Sequence, residues 1–376
     1  MMRWLGKRAT LPKCPSYKGR DINSASASRS QNRGRGTSSL YSQSFGISSL
    51  CSRSSGKGLL APFLQEHGVV RLDGGFCTTR EEQPQHDALS DARLLFTSGG
   101  HQTIQEVHTS FLRAGADVIS TNSYQVSYEL FQAADVFNQL PGGAIKQEKH
   151  QLRYTKDVLR TAVELARKSR HEYLHKLVAE GGQSRLKPLV AASVGPAGDN
   201  EVLCTGATDP ESARHHLTAE VITQYYSRKI ASLAMAKPDL VLLETLPGVR
   251  EARLALAALQ SSAPHLPALV LFACWSEKST AGGDDFAQTV AEMAEHPSVT
   301  AVGLNCTAPE HVEGLLTTAR ACSPDAILAA CPSSGGAWDS TQAKRCWHSS
   351  EMPPKFVGSD EATMRGWGAD VICISN

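Results

Sequence analysis

Residues 298–309 read SVTAVGLNCTAP. An unbroken apolar run, Thr300–Leu304, stops abruptly at Asn305-Cys306-Thr307, and a helix-like stretch, Pro309–Arg320, follows. A run that does not alternate apolar with polar residues suits a strand buried on both faces of a parallel sheet; a half-buried strand would alternate. The same pattern recurs along the chain. Strand candidates are Val69–Leu72, Asp117–Thr121, Leu189–Val194, Leu240–Leu243, Ala268–Ala273, Thr300–Leu304, Ala326–Ala330 and Ala369–Ile374. Between them, helical patterns cover Thr103–Ala114, Thr155–Val178, Glu211–Ala236, Val249–Gln260, Asp285–Glu295 and Pro309–Arg320, while the last gap offers only a short candidate, Asp360–Trp367. Eight strand–helix alternations predict an α/β chain folded as a (β/α)8 TIM-type barrel, with a doubly wound sheet as the alternative.

A barrel places its chemistry at the C-terminal ends of the strands. Those ends read Asp73-Gly74-Gly75, Thr121-Asn122-Ser123-Tyr124, Gly195-Pro196, Glu244-Thr245, Cys274-Trp275, Asn305-Cys306-Thr307 and Cys331-Pro332. Turn formation accounts for the glycines and also suits Asp73. It does not account for Glu244 or Cys306, neither of which is a turn former.

The strings LDGG (72–75), GADVISTNSYQ (115–125), ASVGP (192–196), LLET (242–245), AVGLNC (301–306) and ILAACPSSG (327–335) together resemble the homocysteine S-methyltransferase family, in order and in spacing, across roughly residues 59–372. The resemblance implies methyl transfer from a sulfonium donor, S-methylmethionine or S-adenosylmethionine, to homocysteine, yielding methionine; betaine is a less favoured donor. It implies Zn2+ held by three cysteine thiolates, one ending the sixth strand and a vicinal pair following the eighth. A metal-bound thiol is deprotonated, and the thiolate is the nucleophile. Cys306 matches the first ligand position. Asp73, Gly74, Glu244 and Asn305 match the substrate pocket, where the two carboxylates would receive the ammonium of homocysteine.

The family's eighth strand runs into a GGCC string and a closing helix, whereas here GADVI (368–372) is followed by Cys373-Ile374-Ser375-Asn376. Three expectations follow. The chain is a C-terminally truncated form of an active enzyme, or a catalytically inactive, zinc-free barrel acting only by binding, or Cys331 and Cys373 replace the missing ligands. Cys331 beside Pro332, and Ser333, also depart from the family's usual Tyr and Asn, which bears on the donor side of the pocket.

Composition frames these readings. Residues 1–58 hold 14 Ser, 11 Lys/Arg and one acid, Asp21, a balance that predicts a disordered extension and fits an organelle transit peptide; the cytoplasm is the other expected location. The barrel is expected over residues 59–376, which carry 27 basic and 36 acidic residues, an acidic balance that argues against nucleic-acid binding. The longest strongly apolar stretch, Ala268–Trp275, is too short to span a membrane. Ten cysteines without a CxxC, in a chain of this length, predict free thiols in a reducing compartment. His171-Glu172-Tyr173-Leu174-His175 spells HExxH, but the apolar face of its helix is set by Val158, Ala162, Leu165, Ala166, Tyr173 and Leu177, which turns both histidines toward solvent and away from a protease reading. Trp275 and Trp347 are expected to pack, or to face a cationic methyl donor.

Overall fold

The computed structural model describes residues 56–74, 92–140, 143–182, 185–197, 217–333, 336–339, 346–349 and 361–374. Most of the Ser/Arg-rich extension lies outside the described residues. The barrel strands are β1 (Val70–Asp73), β2 (Val118–Ser120), β3 (Leu189–Val194), β4 (Leu240–Leu246), β5 (Ala268–Phe272), β6 (Val299–Asn305), β7 (Leu328–Cys331) and β10 (Val371–Ile374). They close in the order β1-β10-β7-β6-β5-β4-β3-β2, every neighbouring pair parallel. The closed barrel is therefore the fold, and the doubly wound alternative is excluded. Each predicted strand is present, its ends displaced by no more than three residues. The largest displacement is β4, which runs on through Glu244 and Thr245 to Leu246 because its register against β5 shifts between Leu243 and Leu246.

Continuous apolar strands make two cores. One set of alternating residues fills the barrel, including Leu72, Val118, Ala191, Leu242, Leu271, Ala301, Ala329 and Val371. The other, including Ile119, Val190, Leu243, Val270 and Val302, packs outward against the helices. At β6 the strands approach so closely that a Cβ on Gly303 would lie 1.8 Å from the Ala329 carbonyl oxygen, so only glycine fits.

The helices are α1 (Ala61–His67), α2 (Ser98–Arg113), α3 (Tyr128–Ala133), α4 (Glu148–Ala179), α5 (Ala219–Ala234), α6 (Val249–Ser262), α7 (Phe286–Glu295), α8 (Pro309–Cys322) and α9 (Glu361–Gly366). Side chains cap several of them: Thr97 accepts from Gly100 N–H, Thr218 from Val221 N–H and Asp285 from Gln288 N–H. α5 thus starts after Thr218, and the earlier part of its predicted span, 211–216, lies outside the described residues. α1 and α3 were not legible in the sequence; Leu60, just before α1, and Phe63, within it, join the core of the barrel interior. A two-stranded antiparallel hairpin, β8 (Gly336–Asp339) and β9 (Cys346–Ser349), follows β7, in a stretch for which the sequence predicted only the helix now seen as α9. On α4, His171 and His175 are exposed, with ring centroids 6.4 Å apart. Among the described residues, no helix is long and apolar enough to cross a membrane.

The N-terminal end of the barrel is tied by a device used three times. Asp117, Asp239 and Asp370 stand just before β2, β4 and β10. Each accepts from a backbone N–H of the neighbouring strand, of Arg71, Val190 and Leu328 respectively, and each pairs with an arginine, Arg185, Arg170 and Arg320.

Candidate active site

At the opposite end the chemistry changes. Asp73 closes β1, and its buried carboxylate accepts from the backbone N–H and the hydroxyl of Ser120, both at 2.8 Å. Glu244, within β4, accepts from the Ser193 hydroxyl at the end of β3. Burial raises the pKa of both carboxyls, and the nearby charge of Glu244 pushes Asp73 further up. Neither has an arginine or lysine within salt-bridge distance among the described ion pairs. The charge of Lys229 on α5 draws the Glu244 pKa partly back down; the Lys229 ammonium is buried and donates to the Tyr124 carbonyl at 2.6 Å, and burial lowers its own pKa to about 7. Two carboxylates so placed, hydrogen-bonded by neutral donors, can receive an incoming cation.

Gly74 has a steric reason. A Cβ there would lie 2.8 Å from the Ile374 carbonyl oxygen, so glycine lets the exit of β1 pass the end of β10.

The exit of β6 is rigid. Asn305 accepts from Thr245 N–H at 2.9 Å and donates to the Thr245 hydroxyl at 2.9 Å, bridging β6 to β4. Its amide therefore holds the pocket wall. Thr245 and Cys306 both take left-handed backbone conformations, φ 60° and 48°, which cost non-glycine residues roughly 1–2 kcal/mol each. The cost is met by the surrounding bonds: Cys306 N–H donates to the Cys331 carbonyl, and Thr307 ties β6 to Cys274 N–H on one side and Ser333 N–H on the other. The result turns the exposed Cys306 thiol to within 3.8 Å of the Thr245 hydroxyl and 3.7 Å of the Asn305 amide.

Cys331 and Cys373 are joined in a disulfide, which departs from the free thiols expected from composition. The reason is register. Ala330 is paired with Ile372, so the next residues of β7 and β10 stand side by side, with Cα atoms 4.9 Å apart. In this state neither sulfur can ligate a metal. Among the described residues no three His, Cys, Asp or Glu side chains are grouped to hold an ion, so these residues do not fit a three-thiolate zinc centre.

All seven residues singled out in the sequence thus lie at the C-terminal end of the barrel. The sequence missed their supports. Ser120 and Ser193 were legible as hydroxyls inside otherwise apolar runs, and Lys229 as a lysine in the buried stripe Ile222, Tyr225, Tyr226, Ile230, Leu233. Trp275 packs against the small cluster of Ala273 and Ala281, and the Trp347 side chain lies outside the described residues.

Comparison with known proteins agrees with this geometry. The homocysteine S-methyltransferase family profile matches residues 70–364. Homocysteine S-methyltransferase 1 of Zea mays is 31% identical over 81% of this chain and 89% of its own length. Selenocysteine Se-methyltransferase of Brassica oleracea var. italica is 29% identical over 72% and 75%. The crystal structure of the homocysteine methyltransferase MmuM from Escherichia coli in its oxidized form superposes with a TM-score of 0.65 at 26% identity, covering 84% of this chain and 95% of that one. Its metallated form gives a TM-score of 0.63. With the barrel, the strand-end residues and the profile in agreement over most of its length, the chain belongs to the homocysteine S-methyltransferase family.

Proposed function

We propose that the chain binds homocysteine through Asp73 and Glu244 and transfers to it a methyl group from a sulfonium donor, S-methylmethionine or S-adenosylmethionine. The observation that carries this reading is the pair of carboxylates, Asp73 buried and Glu244 half-buried, held by Ser120 and Ser193 with no salt-bridge partner among the described residues. The ammonium of the amino acid supplies that cation, and its arrival lowers both carboxyl pKa values toward their ordinary range. The homocysteine sulfur forms a bond to the methyl carbon as the carbon–sulfonium bond breaks; the donor leaves as a neutral thioether and the thiol proton passes to solvent. Fixing the ammonium end orients the sulfur for in-line displacement, and orientation is the largest contribution a rigid mouth can make. The selenol-methylating relative fits the same division, since the carboxylates address the amino group and not the chalcogen.

In the family resemblance zinc activates the acceptor thiol. Here Cys306 matches one ligand position while Cys331 and Cys373 are bonded to each other, so no step is routed through the metal. That donor set favours a second reading, a homocysteine-binding barrel without turnover. One experiment separates them. Methionine formation is measured with each sulfonium donor, beside calorimetric binding of homocysteine, for wild type and Asp73→Asn. Turnover and binding both lost in Asp73→Asn support the first reading. Binding without turnover in wild type supports the second, and equal binding in the two proteins overturns the carboxylate site.

A further inference from the structure

The Cys331–Cys373 disulfide lies in the same mouth as the carboxylates. Cys331 ends β7 and belongs to the apolar set that fills the barrel, and Cys373 packs against that set. β10 is the neighbour of β1, with Leu72 paired to Cys373 and Asp73 to Ile374. The disulfide therefore stands one strand away from the carboxylate that the proposed function assigns to the substrate ammonium. Cys331 is buried at 8% exposure, while Cys373 is half-buried and thus the more open of the two sulfurs. The proposed acceptor is itself a thiol, and a disulfide beside a thiol site is an electrophile for it.

We propose that Cys331–Cys373 is a thiol-exchange site for amino-acid thiols of the homocysteine class; the inference rests on the homocysteine reading above. The substrate thiolate attacks Cys373 Sγ. A new sulfur–sulfur bond forms between substrate and Cys373, the Cys331–Cys373 bond breaks, and its electron pair leaves on Cys331 Sγ. Cys331 takes up a proton equivalent to the one the substrate thiol released. A second substrate thiol resolves the adduct, giving the substrate's own disulfide and the Cys331/Cys373 dithiol. The substrate is the only reductant, and no other co-reactant is needed. The same sulfur that accepts a methyl group is thereby diverted until the mouth is reduced.

Asp73 and Glu244 give the exchange its selectivity, because they hold the ammonium of an amino-acid thiol and nothing of a plain one. A charge-assisted contact of this kind corresponds to about tenfold or more in rate.

The test uses the full chain purified without reductant. It is incubated with homocysteine or with 3-mercaptopropanol, quenched in acid, alkylated and mapped by mass spectrometry. The expected result is one homocysteine on the Cys373 peptide, Cys331 newly alkylated, a rate about tenfold or more above that of 3-mercaptopropanol, and loss of that preference in Asp73→Asn. Equal rates for both thiols in wild type, an adduct on Cys306 instead, or an intact Cys331–Cys373 bond after homocysteine would each overturn the proposal. So would a purified chain in which both cysteines are already free. Binding of methionine, which has no thiol, is measured in parallel on wild type. Methionine bound without exchange sinks the exchange site alone, and neither bound nor exchanged sinks the substrate reading with it.

Discussion

The two ends of this barrel use the same residue types for opposite purposes. At the N-terminal end, Asp117, Asp239 and Asp370 each hold a neighbouring strand's N–H and an arginine, a permanent cation. At the C-terminal end, Asp73 and Glu244 are hydrogen-bonded by serine hydroxyls and a backbone N–H with no arginine beside them, and burial pushes their protons on, for Glu244 against the more distant charge of Lys229. A carboxylate paired within the chain contributes to the fold; one left without a cation costs the fold something and is ready for a ligand. With the homocysteine site proposed above, one rim serves stability and the other recognition.

The contrast can be broken at either rim. The largest expected effect is on recognition: Glu244→Gln should raise the KM for homocysteine about 100-fold, the scale of one lost charge-assisted contact in a buried site. The same change should stabilise the ligand-free chain. A raised carboxyl pKa means the folded state binds protons that the unfolded state has released. Stability from this group is therefore present at pH values below the ordinary carboxylate range and lost as pH rises toward the raised value. Denaturant titrations from pH 4 to 7 should show a flatter profile in the variant, and a steeper one would contradict the assignment.

Next in size is the opposite rim. Arg170→Met removes the arginine from Asp239, which remains bonded to Val190 N–H and partly exposed; the expected loss is about 2 kcal/mol of stability with KM unchanged. A shift in KM comparable to that of Glu244→Gln would erase the division between the rims. The smallest effect concerns Lys229, bonded to the Tyr124 carbonyl past the C-terminal end of β2. Its pKa of about 7, below an ordinary 10.5, means the unfolded chain binds more protons between those values, so its contribution to stability grows as pH rises through that window. Lys229→Met should remove that slope, read as the stability difference between pH 7 and pH 9.

Much of this was legible in the sequence because a parallel barrel buries each strand on both faces, so the strands appear as apolar runs whose ends are abrupt. Asp73, Glu244 and Cys306 stood out as polar groups at those ends. What was not legible depends on pairs brought together only by closure. Cys331 and Cys373 are 42 residues apart, and only the β7–β10 register makes them neighbours. Asn305 stood out at a strand end, but its bridge to Thr245, a residue 60 positions away, could not be read from the sequence. β4 was read short because a register shift carries it past the polar residues that elsewhere mark a strand's end.

The ladder of the barrel is uneven. β5 and β6 share five paired positions, whereas β1 meets β2 at one and β10 meets β7 at two. Fewer rungs make for lower local opening free energies, so amide exchange should reach β1, β2 and β10 well before β5 and β6. The wall that carries Asp73 and Cys373 is the β1–β10 pair, joined within itself at four positions but to its neighbours at only one and two, so a substrate approaching these residues meets the part of the barrel expected to yield first.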